Sequence, residues 1–151
     1  MSDAELEFSA FVRTHEERLR QAVAAAHGSG RARDAVADAL AYAWQHWDRV
    51  RCMENPVGYV YRVACSRTRV RRRPVVLAPA DRGMPDVEPG LAPALAALPE
   101  RQRTAVLLVH GWAWTHQEVA ELMGVSVSTV RNHLARGLDT LRARLGVQID
   151  G

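Results

Sequence analysis

Residues 115–145 read THQEVAELMGVSVSTVRNHLARGLDTLRARL, and this stretch decides the fold of the C-terminal part. Thr115 and Glu118 have capping-box spacing, in which the Thr hydroxyl caps the N3 amide and the Glu reaches back to the N-cap. Val119, Ala120 and Leu122 supply the apolar side of a short helix. Gly124 stands where that helix must stop, because glycine enters the left-handed conformation at little cost. Val125 plugs the turn and Ser126 is a second N-cap. Val127, Val130, Leu134, Leu138 and Leu141 recur at three- and four-residue steps, which predicts a second helix with one buried face. Its other face carries Ser128, Thr129, Arg131, Asn132, His133 and Arg136. An ordinary helical hairpin with a solvated outer face would explain any one of these signals. Their concurrence in one short window predicts a helix-turn-helix whose second helix, from Ser126 onward, offers polar and cationic groups to a major groove.

Working upstream, helical periodicity continues and strand signals are almost absent; the short Val75-Val76-Leu77 run lies among prolines. A first helix is predicted from about Ala4 to His27, with Phe8, Phe11, Val12, Leu19 and Val23 as its apolar stripe, and the Gly28-Ser29-Gly30 step breaks it. A second runs from about Ala32 to Val50, with Val36, Leu40, Ala43, Trp44 and Trp47 along it. Trp44 reads as core and Trp47 as the more open of the two. Asn55-Pro56 caps a third helix that continues to about Arg72, with Val60, Tyr61, Ala64 and Cys65 inward. Between Pro74 and Pro93 lie five prolines, two glycines and three acidic residues, the composition of a connector. Leu98-Pro99-Glu100 opens a fresh helix that ends at Gly111, and Trp112 and Trp114 read as packing elements of the second unit. The expected fold is therefore all-α. Two small helical domains, 1–73 and 91–151, are joined by a Pro-rich linker, 74–90, the C-terminal one being the helix-turn-helix.

A chain of 151 residues with 48% hydrophobic residues can bury a core, so disorder is excluded. All 20 basic residues are Arg, a bias that GC-rich coding produces without selection for function, so only the positions of the arginines are informative. Those positions are uneven. The third helix ends SRTRVRRRP, and Arg62, Arg67, Arg69, Arg71, Arg72 and Arg73 fall within about three turns. Two arginines would suit the negative end of a helix dipole. Six self-repel unless a polyanion lies alongside, and nucleic-acid phosphate is the usual one. Cys52 and Cys65 form no CxxC pair and have no His at ligand spacing, so no metal site and no cofactor are expected, and the thiols read as reduced. The acidic start MSDAELEF lacks an apolar signal core and no run reaches membrane-spanning length; the expectation is a soluble, cytoplasmic protein.

Taken together these stretches resemble bacterial RNA polymerase sigma factors of the extracytoplasmic-function class. The segment RARDAVADALAYAWQHWDRV followed by NPVGYVYRVACSRTRVRRR is similar to sigma region 2, and ALAALPERQRTAVLLVHGWAWTHQEVAELMGVSVSTVRNHLARGLDTLRARL is similar to sigma region 4. The resemblance implies a non-enzymatic protein that binds core RNA polymerase at its β′ clamp and β flap and recognises promoter DNA, with an anti-sigma factor as a further partner. It implies polymerase contacts on the helix Asp34 to Trp47, through Asp34, Ala37, Asp38, Tyr42, Trp44 and Trp47. It implies that Asn55, Tyr59, Arg62, Ser66, Arg67, Arg69, Arg72 and Arg73 hold the −10 element. Ser126, Ser128, Thr129, Arg131, Asn132, His133 and Arg136 would read the −35 element. This chain has Arg33 where the family often has an acid, Ala37 where Gln is usual, and Ser66 where Asn is frequent.

The competing reading is a helix-turn-helix regulator that binds duplex DNA without joining polymerase. It leaves the Arg-rich third helix and the paired tryptophans without a role. An enzyme is disfavoured because no Ser/His/Asp, Cys/His or paired-carboxylate arrangement and no Gly-rich phosphate loop is visible.

Overall fold

The first 27 residues place a long helix at the centre of the molecule. In the computed structural model, which describes residues 1–69 and 90–146, helix α1 spans Asp3–His27. Ser2 and Glu5 form its capping box: the Glu5 amide donates to Ser2 Oγ at 3.2 Å and the Ser2 amide to Glu5 Oε2 at 2.8 Å. The N-terminal half of α1 is amphipathic, with Phe8, Phe11 and Val12 half-buried. Its C-terminal half changes character. Leu19 and every residue from Ala22 to His27 are buried, so the helix is covered on all sides there. The run of alanines makes this possible, because short side chains let neighbouring helices approach from two directions.

On one side lie α2 (Ser29–Gln45) and α4 (Pro56–Arg69), with the short α3 (Trp47–Val50) between them. On the other side lie α6 (Glu100–Val106) and the π-helical turn Leu107–Gly111 that continues it. Helices α5 (Leu91–Ala96), α7 (His116–Met123) and α8 (Val127–Leu145) complete the C-terminal unit, in which α8 packs on α5, α6 and α7. The all-α expectation holds, and one apolar core runs from Leu19 and Val36 through Val60 to Leu108, Val119 and Val130. The two sequence-defined units thus share α1 as a common wall.

The structure differs from the sequence reading in three places. The second helix breaks at His46, whose ψ of 27° leaves the helical range, so Trp47–Val50 forms a separate turn. The tryptophan assignment is reversed by that break. Trp44 is 41% exposed, whereas Trp47 is 5% exposed, its ring 5.1 Å from that of Phe8 and 5.3 Å from that of Phe11. Residues Leu91–Ala96, placed in the C-terminal unit but given no helix by the sequence reading, form α5 and bury Ala94 and Leu95. The linker 74–90 lies outside the described residues apart from Gly90, as do Arg71, Arg72, Arg73 and residues 147–151.

The seam between the units is polar as well as apolar. The last carbonyls of α1 have no partner within the helix, and here they are buried. Arg103 of α6 supplies it. Its Nε donates to Ala25 O at 2.9 Å, its Nη2 to Ala26 O, and its Nη1 to Leu98 O at 2.6 Å and Ala96 O at 3.3 Å. The guanidinium lies at the negative end of the α1 dipole, which favours it there. Burial lowers the Arg103 proton affinity, while Glu100 and Tyr61 oppose that shift. Farther along α1, Gln21 Oε1 accepts from Trp114 Nε1 at 2.9 Å, and Arg18 lies over the Trp114 ring and pairs with Glu118.

Candidate nucleic-acid interface

The helix-turn-helix forms as its sequence dictates. The Glu118 amide donates to Thr115 Oγ1 at 3.1 Å and the Thr115 amide to Glu118 Oε1 at 2.9 Å, closing the capping box. The Thr115 amide, with Arg18 next, holds the Glu118 carboxyl below its ordinary range. Helix α7 ends at Gly124, whose φ of 69° is left-handed, as the turn requires. Ser126 Oγ accepts from the Thr129 amide at 3.1 Å and also lies 2.9 Å from Thr129 Oγ1 and 3.0 Å from Ser128 Oγ. This hydroxyl cluster fixes the first turn of α8.

Helix α8 then divides cleanly. Val130, Leu134, Gly137 and Leu141 are buried against the unit. Ser128, Arg131, Asn132 and Arg136 are exposed, a strip of one hydroxyl, one amide and two guanidiniums with the donors that base edges and phosphates accept. Thr129 is half-buried and tied into the cap. His133 departs from the expected outer face: it is half-buried, and its Nε2 is shielded from solvent without a hydrogen-bond partner. Burial first, then Arg101 and Arg136, lower its proton affinity.

The second group of candidates lies on α4 and the loop before it. Asn55 caps α4, its Oδ1 accepting from the Gly58 amide at 3.1 Å. Arg62, Ser66 and Arg67 are exposed along α4, with Tyr59 half-buried beside them; Ser66 Oγ donates to Val63 O at 2.7 Å. Arg69 is the last residue of the helix. Tyr61 faces the core, where burial pushes its hydroxyl well above the usual range. The third group lies on α2, where Asp34, Ala37, Asp38 and Trp44 are exposed and Tyr42 is half-buried. Trp47 sits in the aromatic packing beneath them and presents no open face.

The structure brings the first two candidate groups together in an unexpected way. Helix α7 packs on α4, and Asn55 Nδ2 donates to Glu121 O at 2.6 Å. The Arg62 guanidinium lies beside Gly124 of the turn. It is therefore the first helix of the motif that covers the loop before α4, while the exposed strip of α8 stays open. The seam residues Arg18, Gln21 and Arg103 escaped the sequence reading, which placed Trp114 in the packing of the second unit but not against α1. Arg103 had a signal: it stands three and four residues before Val106 and Leu107, on the apolar stripe of its helix. Among the described residues no group of His, Cys, Asp and Glu is arranged to hold a metal, and no helix is long and apolar enough to cross a membrane.

Residues 91–141 match the family model for sigma-70, region 4. No curated protein matches the chain in sequence. Two solved structures superpose over nearly its whole length. The sigma factor RpoE of Bartonella quintana, determined with the anti-sigma factor NepR, does so with a TM-score of 0.64 at 21% identity, covering 95% of this chain and 99% of that one. CnrH, determined with the cytosolic domain of CnrY, does so with a TM-score of 0.62 at 22% identity, covering 94% and 89%. At such identities the likeness is one of fold, and the sequence match lies in the C-terminal unit. A region 4 sequence match in the C-terminal unit and a fold shared with solved sigma factors both agree with the resemblance to the extracytoplasmic-function class.

Proposed function

We propose that this protein is a sigma factor, which binds core RNA polymerase and directs it to promoters through two separate contacts. The exposed strip of α8, with Ser128, Arg131, Asn132 and Arg136, reads the −35 element in the major groove. Asn55, Tyr59, Arg62, Ser66 and Arg67, continued by Arg69, Arg72 and Arg73, hold the −10 element after it opens. The exposed α2 face of Asp34, Ala37, Asp38 and Trp44 docks on the polymerase clamp. Residues 1–73 and 91–151 act as the two promoter-facing units and 74–90 as the connector between them. The protein works in the cytoplasm, and the role is one of recognition rather than catalysis.

The observation that carries this reading is the region 4 match over residues 91–141 within a chain that has the sigma-factor fold over 95% of its length. A free-standing repressor needs only the C-terminal unit. An anti-sigma partner belongs to the proposal as well, since RpoE of Bartonella quintana was solved bound to one.

The test is run-off transcription with purified core polymerase on genomic fragments, followed by start-site mapping. The expected result is a discrete set of start sites that appear only when the protein is added. Absence of any such transcript with competent core polymerase would overturn the proposal. Failure to co-purify with polymerase subunits would point to a duplex-binding regulator instead.

A further inference from the structure

The break at His46 has a consequence on the surface. It sets α3 at an angle to α2, and Arg49 comes to lie among side chains from two other helices. Arg49 Nη2 donates to Tyr42 Oη at 3.3 Å and to Tyr59 Oη at 3.5 Å, bridging α2 and α4. The Arg67 guanidinium lies 5.9 Å over the Tyr42 ring, and the His46 ring, just past the end of α2, stands 4.4 Å from that ring. The neighbouring Tyr59 hydroxyl, then Arg49, lowers the proton affinity of Tyr42, whereas Tyr42 and burial raise that of Tyr59. Arg49 and Arg67 are both exposed, and neither is paired with a carboxylate among the described residues.

Two guanidiniums close together without an acid repel each other, and a packing role does not require them. An anion relieves that repulsion. The tyrosines hold the Arg49 fork in one orientation, so less side-chain freedom is lost when it takes a phosphate. Arg67 already belongs to the exposed α4 strip assigned to the −10 element, so the cluster continues that track onto α2 and α3. An unpaired strand crossing α4 at Tyr59 meets Arg49 next. The rings beside the guanidiniums suit a single strand, whose bases are free to stack, better than a duplex.

We propose that Tyr42, Arg49, Tyr59 and Arg67 form a binding surface for the phosphates of an unpaired nucleic-acid strand, with Arg49 the contacting fork and the two tyrosine hydroxyls its positioning groups. The proposal rests on the −10 reading above and extends it to a residue outside α4. It places Tyr42 on the DNA side of α2 rather than on the polymerase side.

The experiment uses the full chain and a fluorescein-labelled dT12 oligonucleotide, titrated over a range of salt concentrations. Arg49→Ala is compared with Arg13→Ala, which removes the same charge from an exposed position on α1. Circular dichroism checks that both variants are folded. One phosphate contact to a single strand contributes about 0.7 to the slope of log K against log salt. Arg49→Ala should lower the slope by about that amount and weaken binding several-fold, while Arg13→Ala leaves both unchanged. The double variant Tyr42→Phe/Tyr59→Phe should weaken binding with the slope retained, because the charge remains and only its orientation is lost.

Equal behaviour of Arg49→Ala and Arg13→Ala would overturn the proposal. So would equal losses on dT12 and on a 12-base-pair duplex, which would make Arg49 a general cation. Loss of core-polymerase association by Arg49→Ala with dT12 binding intact would assign the surface to a protein partner and overturn it too. Failure of the wild-type protein in run-off transcription would instead count against the sigma-factor proposal, and the dT12 measurement stands apart from that result.

Discussion

Replacing Arg103 should cost more stability than replacing any exposed arginine, and the reason lies in what its guanidinium satisfies. It is 4% exposed and donates to four carbonyls, two at the end of α1 and two at the end of α5 and just after it. A hydrogen bond from a charged donor contributes about 1.5–3 kcal/mol net, and a buried carbonyl left without a partner costs about 1–3 kcal/mol. Counting only two well-aligned bonds, and setting the guanidinium's own desolvation against the others, Arg103→Ala should destabilise by about 3 kcal/mol or more. Against a total stability of about 5–15 kcal/mol this is a large fraction. Arg103→Lys should recover little, because one ammonium cannot span carbonyls on two helices. Arg103→Met keeps the stem and loses every donor, so it should resemble the alanine variant rather than the wild type. Urea unfolding, followed by far-ultraviolet circular dichroism and tryptophan fluorescence, measures each loss. A loss below about 1 kcal/mol for Arg103→Ala, or full recovery with lysine, would show that the α1 carbonyls have another partner and that the seam is not stapled here.

Gly137→Ala should destabilise by about 1–3 kcal/mol in the same assay, because its methyl would fall 2.8 Å from Val106 Cγ2 where α8 crosses α6, outweighing the gain in helix propensity. Ala113→Gly should stabilise by up to about 1 kcal/mol, since Ala113 has a φ of 59°, left-handed backbone that glycine enters more cheaply. A lower urea midpoint for that variant would contradict the strain argument. His133 binds a proton less readily folded than at its ordinary value of 6.5, so unfolding takes up a proton as pH falls past that value. Stability should be full above that pH and decline below it, and His133→Leu should flatten this part of the urea midpoint profile. Arg131→Ala should change sequence preference across a randomised −35 library by about 1–3 kcal/mol at one or two positions. A uniform loss over all sequences would make Arg131 a phosphate contact instead.

The helix-turn-helix was legible residue by residue because its signals are local. The Thr115–Glu118 box, Gly124 and Ser126 each fix the backbone within a turn of themselves, and the structure has all three in those roles. The burial of Leu134 and Leu141 followed from periodicity alone. The two tryptophans were misassigned because they lie three residues apart, and a continuous helix would place both near one face. The break at His46 is set by tertiary packing against Phe8 and Phe11, which no local signal announces. The half-burial of His133 was hidden for a related reason, since its place on the helix lies at the margin of the buried stripe, where a neighbouring helix decides exposure. The seam was invisible because its partners are far apart in sequence, Arg103 to Ala25 and Trp114 to Gln21. The alanine run 24–26 did carry a trace of it, since a helix buried on one side needs no such uniformly small face.

That seam bears on how the two promoter contacts relate. The hydrogen bond from Asn55 Nδ2 to Glu121 O, and the place of Arg62 beside Gly124, set the turn of the helix-turn-helix against the loop proposed to hold the −10 strand. A strand that occupies Asn55 and Arg62 must displace α7. The strip of α8 carrying Arg131, Asn132 and Arg136 is already open. The docked arrangement is thus asymmetric: duplex can be met by α8 while the units stay together, but a single strand cannot settle on Asn55 and Arg62 until they part. Parting the units exposes the α1 carbonyls that Arg103 satisfies, together with apolar surface on α1 and α6, so it needs a partner that interacts more favourably with the separated units. Core polymerase, proposed to grip α2 on one unit and the C-terminal unit on the other, would be such a partner. On this reading Arg103 sets how much binding free energy the polymerase must supply before the −10 element can be held. Weakening the staple would then ease promoter opening even as it lowers the stability of the free protein.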